Sequence, residues 1–204
     1  MYQDIIYDFD GTISDTYPVF TEALLILLER YGIKDSYENA YLLLKKSVGQ
    51  ALKSYNFNKK YSEISNEFAT IHNEIAFKKQ KPYPDALLLL KSVVDAGKCN
   101  YIYTHSGALV TELMKKWGLS EYITDTIDST LDFPRKPDPA ALNFLLNKHN
   151  IVKKSALMVG DRDIDIDVAH NAGIDACLYD YENYYPDVNA EYSVKTLSDL
   201  INII

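Results

Sequence analysis

The chain has 204 residues, which suits one domain or one domain with an insertion, and it is long enough to bury a sizeable core. Its hydrophobic content of 47% and charged content of 25% are ordinary for a soluble globular protein. The formal net charge of −8 argues against non-specific binding to nucleic acid or to an anionic membrane, since both need basic patches, but it does not exclude an anionic substrate.

The cysteines, the first residues and the apolar runs bear on the cellular compartment in which the protein is expected. Cys99 and Cys177 lie in apolar stretches, where buried thiols are expected rather than a disulfide or a metal ligand. The first ten residues contain three aspartates and no basic segment, so no signal peptide is expected. The longest apolar runs are too short to span a bilayer. We expect a cytoplasmic monomer or homodimer with no nucleic-acid or membrane partner.

The first predicted strand covers residues 4–9 and is followed by the turn Asp10-Gly11-Thr12. Side chains alternate along a strand, so Asp8 and Asp10 would leave its end on the same side. Two carboxylates that lie this near to each other repel unless a cation lies between them. Taken alone, the pattern fits equally well a polar strand end whose aspartates stabilise a turn.

Residues 14–81 show helical spacing and no strand pattern. The first helix is predicted to begin near Asp15 or Thr16 and to end at Gly32. Further helices are predicted over residues 37–46 and 61–79. The stiff double-proline segment 81–84 then indicates a boundary or a hinge. We therefore predict an all-helical insertion at residues 14–81, within a domain formed by residues 1–13 and 82–204.

From residue 85 onward, helical and strand patterns alternate, which is typical of a parallel sheet covered by helices on both faces. The predicted helices cover residues 85–96, 108–117, 138–148, 164–172 and 196–203, and the predicted strands cover residues 99–103, 122–127, 156–159 and 176–179. In the third of these helices, Asp138 is the expected cap and Pro139 the first helical residue. The predicted fold class is α/β, with a parallel sheet core and a helical insertion after the first strand.

Polar side chains follow the predicted strands, and in open α/β sheets ligands bind beyond the carboxyl ends of the strands. The candidate residues, in chain order, are Asp8, Asp10, Thr104, Lys136, Asp161 and Asp165. Each of them alone fits turn formation, helix capping or a solvated charge. Carboxylates, a hydroxyl and a lysine together at one sheet edge suit a divalent metal and a phosphoryl group.

The order of these residues resembles that of the haloacid dehalogenase-like (HAD) hydrolase superfamily. The segment Asp8-Phe9-Asp10-Gly11-Thr12 is similar to its first motif, Thr104 to its second, Lys136 to its third, and residues 160–165 to its fourth. The helical insertion resembles the cap of the phosphoglycolate phosphatase-like subfamily. The resemblance implies a Rossmann-like core domain of residues 1–13 and 82–204 and a mobile cap domain of residues 14–81, with hinges at residues 17–18 and 82–84.

The resemblance also implies roles for the candidate residues. Asp8 would attack phosphorus and form an aspartyl-phosphate, and Asp10 would act as general acid and then as general base. Mg²⁺ would be held by the carboxylates of Asp8 and Asp161 and by the backbone carbonyl of Asp10. Thr104 would hydrogen-bond the phosphoryl oxygens, and Lys136 would offset the charge of the phosphate and the nucleophile, with Asp165 as a partner of Lys136 or of a metal-bound water. The implied substrate-binding residues are Gly11, His105 and Ser106.

Several alternatives stay open at this point. His105 could contact substrate or simply pack at a helix start, and residues 45–50 could set specificity or be a solvated helix end. The alternating aspartates from Asp161 onward do not make an EF-hand loop, because the sixth position is Ile166 and the twelfth is Ala172. The expected function is a Mg²⁺-dependent phosphatase of a small phosphorylated metabolite. The alternatives are a β-phosphoglucomutase-like mutase and a non-catalytic metal- or phosphate-binding regulator.

Overall fold

The computed structural model describes residues 1–185 and 187–204. The chain divides into two compact units, one formed by Met1–Ser14 with Pro82–Ile204 and the other by Asp15–Lys81. We call them the sheet unit and the helical unit. Among the helices of the described ranges, none combines the length and the apolar character that crossing a membrane requires.

The secondary-structure elements are numbered in chain order. The strands are β1 (Asp4–Tyr7), β2 (Ser14–Asp15), β3 (Lys81–Pro82), β4 (Cys99–Tyr103), β5 (Asp125–Ile127), β6 (Ala156–Gly160), β7 (Asp175–Tyr179) and β8 (Tyr192–Val194). The α-helices are α1 (Tyr17–Arg30), α2 (Tyr37–Lys46), α3 (Val48–Lys53), α4 (Tyr61–Lys79), α5 (Ala86–Asp95), α6 (Leu109–Lys116), α7 (Ala140–Lys148) and α8 (Asp163–Ala172). Short 3₁₀ helices cover Ser120–Tyr122, Lys153–Ser155 and Leu197–Asn202.

Six strands form one parallel sheet in the order β5-β4-β1-β6-β7-β8. This arrangement confirms the predicted α/β fold. Strand β1 lies between β4 and β6, and its Ile6 pairs with Tyr101 on one side and Met158 on the other. Because the chain continues to one side of β1 and later returns to the other, the carboxyl ends of β1, β4 and β6 meet at a topological switch point.

Successive residues of β1 face opposite helical layers. Ile5 and Tyr7 belong to an apolar cluster that includes Leu89 of α5, whereas Ile6 belongs to a second cluster that includes Leu142 of α7. All three strand residues are 0% exposed. A central parallel strand is covered on both faces, which explains why its sequence is a continuous apolar run rather than an alternating one.

The helical unit contains α1 to α4 around an apolar cluster of its own, which includes Leu24, Leu27 and Phe68. Helices α2 and α4 have the predicted bounds. Of the two interpretations left open for residues 45–50, a solvated helix end does not fit Lys45, whose relative exposure is 3% and whose Nζ lies 4.7 Å from the centre of the Tyr17 ring. A further helix, α3, follows there instead of a turn.

The observed strands differ from the predicted ones in several places. Strand β5 begins at Asp125 rather than at residue 122, because Ser120–Tyr122 form a 3₁₀ helix. The two-residue strands β2 and β3 lie at the ends of the segment that was predicted to be all-helical.

Two further strand details also differ from the prediction. Strand β1 ends at Tyr7 rather than at residue 9, because Phe9 already closes the next turn: its carbonyl accepts the N–H groups of Ile13 at 3.1 Å and Ser14 at 2.9 Å. Strand β8, which pairs with β7, was not predicted. It is an edge strand of three residues with mostly exposed side chains, so it lacks a burial pattern.

Two helix details are also wrong. Helix α7 begins at Ala140, so Pro139 is its N-cap, and the Asp138 carboxylate accepts the Ala140 N–H at 2.9 Å. The predicted α-helix over residues 196–203 is a six-residue 3₁₀ helix, Leu197–Asn202. The Thr196 and Asp199 side chains each accept the other's backbone N–H at its start. Among the thiols, Cys177 is buried and Cys99 is half-buried, and both are free.

Candidate active site

The candidate residues stand where three neighbouring strands end. Asp8 directly follows β1, Thr104 directly follows β4 and Asp161 directly follows β6. Because the strands are parallel and adjacent, these positions lie along one edge of the sheet. The sheet unit therefore supplies a carboxylate, a hydroxyl and a second carboxylate to the same place.

A buried lysine joins two carboxylates at this edge. The Lys136 Nζ lies 2.8 Å from Asp8 Oδ1 and 2.8 Å from Asp165 Oδ1. The lysine and Asp165 side chains are 0% exposed and the Asp8 side chain is 3% exposed. Residues 8, 136 and 165 thus form a charged centre screened from water, where each interaction is stronger than at the surface.

The Lys136 ammonium is held on every side. It also donates to the backbone carbonyl of Tyr103 at 2.8 Å and lies 4.5 Å from the centre of the Tyr103 ring. Burial alone would lower the pKa of Lys136, but attraction to Asp165 and Asp8, together with the hydrogen bonds to them, outweighs burial and raises it. The lysine therefore stays protonated throughout the neutral range.

The surroundings of Asp8 disfavour the charged form of its carboxyl group. Burial raises the pKa of Asp8 to about 7; the Lys136 charge acts in the opposite direction, and the nearby Asp165 charge raises the pKa further. Its Oδ2 atom is buried and accepts no hydrogen bond from the part of the chain that the structure describes. A carboxylate oxygen of this kind is available to a cation or to an incoming electrophile.

The carboxylates of Asp8, Asp161 and Asp165 form a compact cluster, with one oxygen of each lying within 4.8 Å of the others. All three residues are buried. With one lysine among three carboxylates, the ionised cluster carries two excess negative charges, which a divalent cation would balance. The donors are all oxygen atoms, as Mg²⁺ prefers, so the residues fit such an ion.

Asp165 is held tightly against the end of β6. Its Oδ1 accepts from Lys136, while its Oδ2 accepts the Arg162 N–H at 3.2 Å at the start of α8. A Cβ atom added to Gly160 would lie 2.2 Å from the Asp165 Cβ and 2.4 Å from its Cγ. Only glycine therefore leaves room for Asp165 at this position.

Gly160→Ala should displace Asp165 and loosen Lys136. We expect a loss of about 1–3 kcal/mol in the free energy of unfolding, as for other overpacked sites. We expect any turnover to fall by about 100-fold, since small misplacements of catalytic groups have effects of that size. Gly107→Ala is the control, because its added Cβ would meet only the Ser129 Oγ at an ordinary 3.5 Å. Equal effects of both variants would contradict the steric argument.

The turn after β4 is connected to the turn after β1. The Thr104 Oγ1 accepts the Ser106 N–H at 3.0 Å, and the Ser106 hydroxyl donates to Asp10 Oδ2. In the turn after β1, the Gly11 N–H donates to the Ser14 carbonyl at 2.8 Å and Gly11 has a φ of 80°. The Gly11 amide and the Ser106 hydroxyl, two predicted substrate contacts, are thus engaged within the protein.

His105, the third predicted substrate contact, is connected to Lys136. Its Nε2 accepts the backbone N–H of Lys136 at 2.8 Å. Burial lowers the pKa of His105 to about 3, and the positive charges of Lys136 and Arg135 lower it in the same direction. The imidazole is therefore neutral near pH 7, with its proton on Nδ1 and its Nε2 lone pair occupied by the Lys136 N–H.

The pKa of His105 predicts how stability depends on pH. Its folded value lies below the ordinary 6.5. Between about pH 6.5 and pH 3, His105 therefore binds a proton in the unfolded chain but not in the folded chain. The free energy of unfolding falls by up to about 1.4 kcal/mol for each pH unit across this range as the pH is lowered. His105→Gln should lose less stability than wild type between pH 7 and pH 5 in urea titrations. Parallel curves for the two proteins would show that His105 titrates normally.

One contributor to the site was not predicted. Tyr103 precedes the Thr104 motif position and offers its backbone carbonyl and its ring to Lys136. A hydrogen bond to a backbone carbonyl cannot be predicted from the side-chain types in the sequence. The aromatic residue at the last position of a buried strand was the only available signal, and it fits core packing equally well.

Comparison with known proteins agrees with this geometry. The family described as haloacid dehalogenase-like hydrolase matches residues 5–179. The chain is 26% identical to a phosphoglycolate phosphatase of Vibrio parahaemolyticus, over 98% of this chain and 95% of that protein. It is 25% identical to the pyrophosphatase PpaX of Halalkalibacterium halodurans, over 98% of this chain and 95% of that protein.

Solved structures share the fold. A HAD-superfamily hydrolase of subfamily IA, variant 1, from Geobacter sulfurreducens superposes with a TM-score of 0.81 at 18% identity and covers 100% of both chains. At that identity the likeness concerns the fold alone. The family match spans both the strand-end carboxylates and the Lys136 segment. The chain therefore belongs to the haloacid dehalogenase-like hydrolases.

Proposed function

We propose that this chain is a Mg²⁺-dependent phosphatase that hydrolyses a small phosphomonoester through an aspartyl-phosphate on Asp8. The observation that carries the proposal is the placement of Asp8. It is buried at the end of the central strand, one of its oxygens is held by Lys136, and the other has no hydrogen-bond partner among the described residues. A carboxylate oxygen that is neither solvated nor paired is a suitable nucleophile.

The proposed reaction has two displacements at phosphorus. A carboxylate oxygen of Asp8 attacks the phosphorus atom, the ester P–O bond breaks, and the leaving alkoxide takes a proton from Asp10. Water then attacks the phosphorus of the acyl phosphate while Asp10 removes its proton, which releases phosphate and restores the carboxylate of Asp8 and the protonated carboxyl group of Asp10. The hydroxyl of Ser106, which donates to Asp10, would orient that carboxyl group.

Lys136 and Thr104 are proposed to bind the transferring phosphoryl group. The lysine contributes a fixed positive charge whose position is set before substrate arrives. Preorganised charges of this kind stabilise the transition state because they need no reorganisation during the reaction. Asp165, whose two oxygens accept from Lys136 and Arg162, would act mainly by orienting the lysine.

Asp8 and Asp161, with the backbone carbonyl of Asp10 and with Asp165 beside them, would hold Mg²⁺. When bound, this ion would balance the excess negative charge of the cluster and that of the substrate's phosphate. For the substrate we propose a phosphomonoester of the phosphoglycolate type, because a full-length relative is named for that compound. The helical unit is proposed to serve as the cap domain, with residues 82–84 as a hinge.

The test is phosphate release from a panel that contains phosphoglycolate, sugar phosphates and pyrophosphate. We expect release from a small phosphomonoester that stops on addition of EDTA and returns when excess Mg²⁺ is supplied. Because pyrophosphate is a phosphoanhydride, a preference for it would shift the substrate class towards that of the PpaX relative. No release by a folded, Mg²⁺-binding protein would contradict the phosphatase proposal and favour a mutase or a binding protein.

A further inference from the structure

We propose that His105 is a positioning residue that fixes the backbone of Lys136 and thereby sets the lysine ammonium between Asp8 and Asp165. The inference rests on the proposed function for its catalytic consequence, but not for its geometry. It assigns His105 a role different from that of a substrate contact. His105 acts through Lys136 and touches neither the substrate nor the reacting atoms.

The Lys136 segment needs an anchor. Residues 128–139 contain no helix or strand, so no regular hydrogen-bond ladder holds the lysine backbone in place. The bond from the Lys136 N–H to His105 Nε2 connects this segment to the end of β4 across 31 residues of sequence. The side chain then spans from that fixed backbone to the ammonium at Asp8 and Asp165. Both ends of Lys136 are therefore fixed.

The chemistry of the imidazole suits this role and argues against others. An N–H donor faces Nε2, so this nitrogen must offer a lone pair, and a protonated ring would place two donors against each other. Positive charges on Lys136, Arg135 and Arg162 surround the ring and oppose its protonation. A general base or a charged phosphate ligand needs the nitrogen or the proton that this arrangement withholds.

Space beside the ring allows a chemical test. A cavity of about 230 Å³ is lined by His105, Tyr103, Thr104 and residues of the 127–135 segment. A small aromatic base can enter a space of this size when the imidazole is removed. The His105→Ala variant should therefore accept added imidazole at the vacated position, whereas a variant that fills the position should not.

The decisive comparison is between His105→Gln and His105→Met. Glutamine can place an acceptor oxygen where Nε2 lies, whereas methionine has similar length without a strong acceptor. We expect His105→Met to lose about ten-fold or more in kcat with KM changed by less than about three-fold, because an unpaired N–H lets the lysine shift. His105→Gln should stay within about three-fold of wild type, and imidazole should restore His105→Ala but not His105→Met. Equal losses in His105→Gln and His105→Met would overturn the proposal.

A second readout does not depend on turnover. In protein labelled with ¹⁵N-lysine, the Lys136 amide signal is identified by its loss in Lys136→Arg. Its proton shift should move upfield in His105→Met and stay near the wild-type value in His105→Gln, because a hydrogen bond to nitrogen deshields the amide proton. An unchanged shift in His105→Met would refute the role of His105. If wild type released no phosphate while the shift moved as expected, the proposed function would fail and the positioning contact would stand.

Discussion

Replacing Asp8 by asparagine will lower phosphatase turnover by about 10⁴-fold or more, the size of effect seen when a nucleophile is removed. The same change will make the metal-free protein more stable above pH 7. Burial raises the pKa of Asp8 to about 7, so its ionisation in the folded chain is unfavourable, and asparagine avoids that charge. We expect the free energy of unfolding to increase, because the Asp8 charge is no longer buried while Lys136 keeps Asp165 as its counter-charge.

Because turnover should fall while the free energy of unfolding rises, the loss of activity in Asp8→Asn can be distinguished from a loss of folded protein. Phosphate release and urea titrations in EDTA at pH 8 measure them. Asp175→Asn is the matched control, since this half-buried carboxylate begins β7 and accepts a hydrogen bond from the Tyr2 hydroxyl. It should keep wild-type activity and gain no stability. If Asp8→Asn remained active, the aspartyl-phosphate route would be wrong.

Lys136→Met will have the largest effect on stability among single substitutions at this site. Removing the ammonium leaves three buried carboxylates without a counter-charge, and breaking a buried pair in this way costs about 3–5 kcal/mol. Turnover will fall with it, because the positive charge that faces the nucleophile is lost. The free energy of unfolding in urea, measured without metal at pH 8, gives the first quantity, and phosphate release with Mg²⁺ gives the second.

An exposed lysine provides the comparison for Lys136→Met. The Lys148 Nζ lies 2.7 Å from Asp125 Oδ2, but its side chain is 49% exposed, so Lys148→Met should cost less than about 1 kcal/mol. The double variant Lys136→Met with Asp165→Asn should be more stable than Lys136→Met alone, because one uncompensated charge is removed. If Lys136→Met were no more destabilising than Lys148→Met, the buried centre would not be charged as described.

The sequence was sufficient to predict those elements for which a single pattern, such as apolar spacing, was clear. Helices α2 and α4 have the predicted bounds because their apolar spacing is uninterrupted. The parallel sheet followed from alternating helix and strand patterns. The candidate carboxylates could be identified because they follow apolar strands, which places them at one edge of a sheet. Their meeting with Lys136 is a finding of the structure, and their catalytic roles stay predictions.

The sequence was insufficient where a role depends on backbone atoms or on a distant neighbour. The Tyr103 carbonyl and the Lys136 N–H carry no side-chain signature, so their bonds to Lys136 Nζ and His105 could not be foreseen. Gly160 was identified only as the first residue of the fourth motif, and the sequence does not show that Asp165 occupies the space it leaves. Strand β8 was missed because an edge strand with exposed side chains has no apolar pattern.

The position of β1 in the sheet has a consequence during synthesis. This central strand leaves the ribosome well before its neighbours β4 and β6, which begin only at Cys99 and Ala156. The helical unit is continuous in sequence and has its own apolar cluster, so it can fold as soon as Lys81 has emerged. The apolar strand that carries Asp8 can pair with β4 once residue 103 has been made, but its other edge stays unpaired until residue 160 has been made. We therefore expect the nascent chain to expose residues 4–9 to chaperones until β4 and β6 have been made.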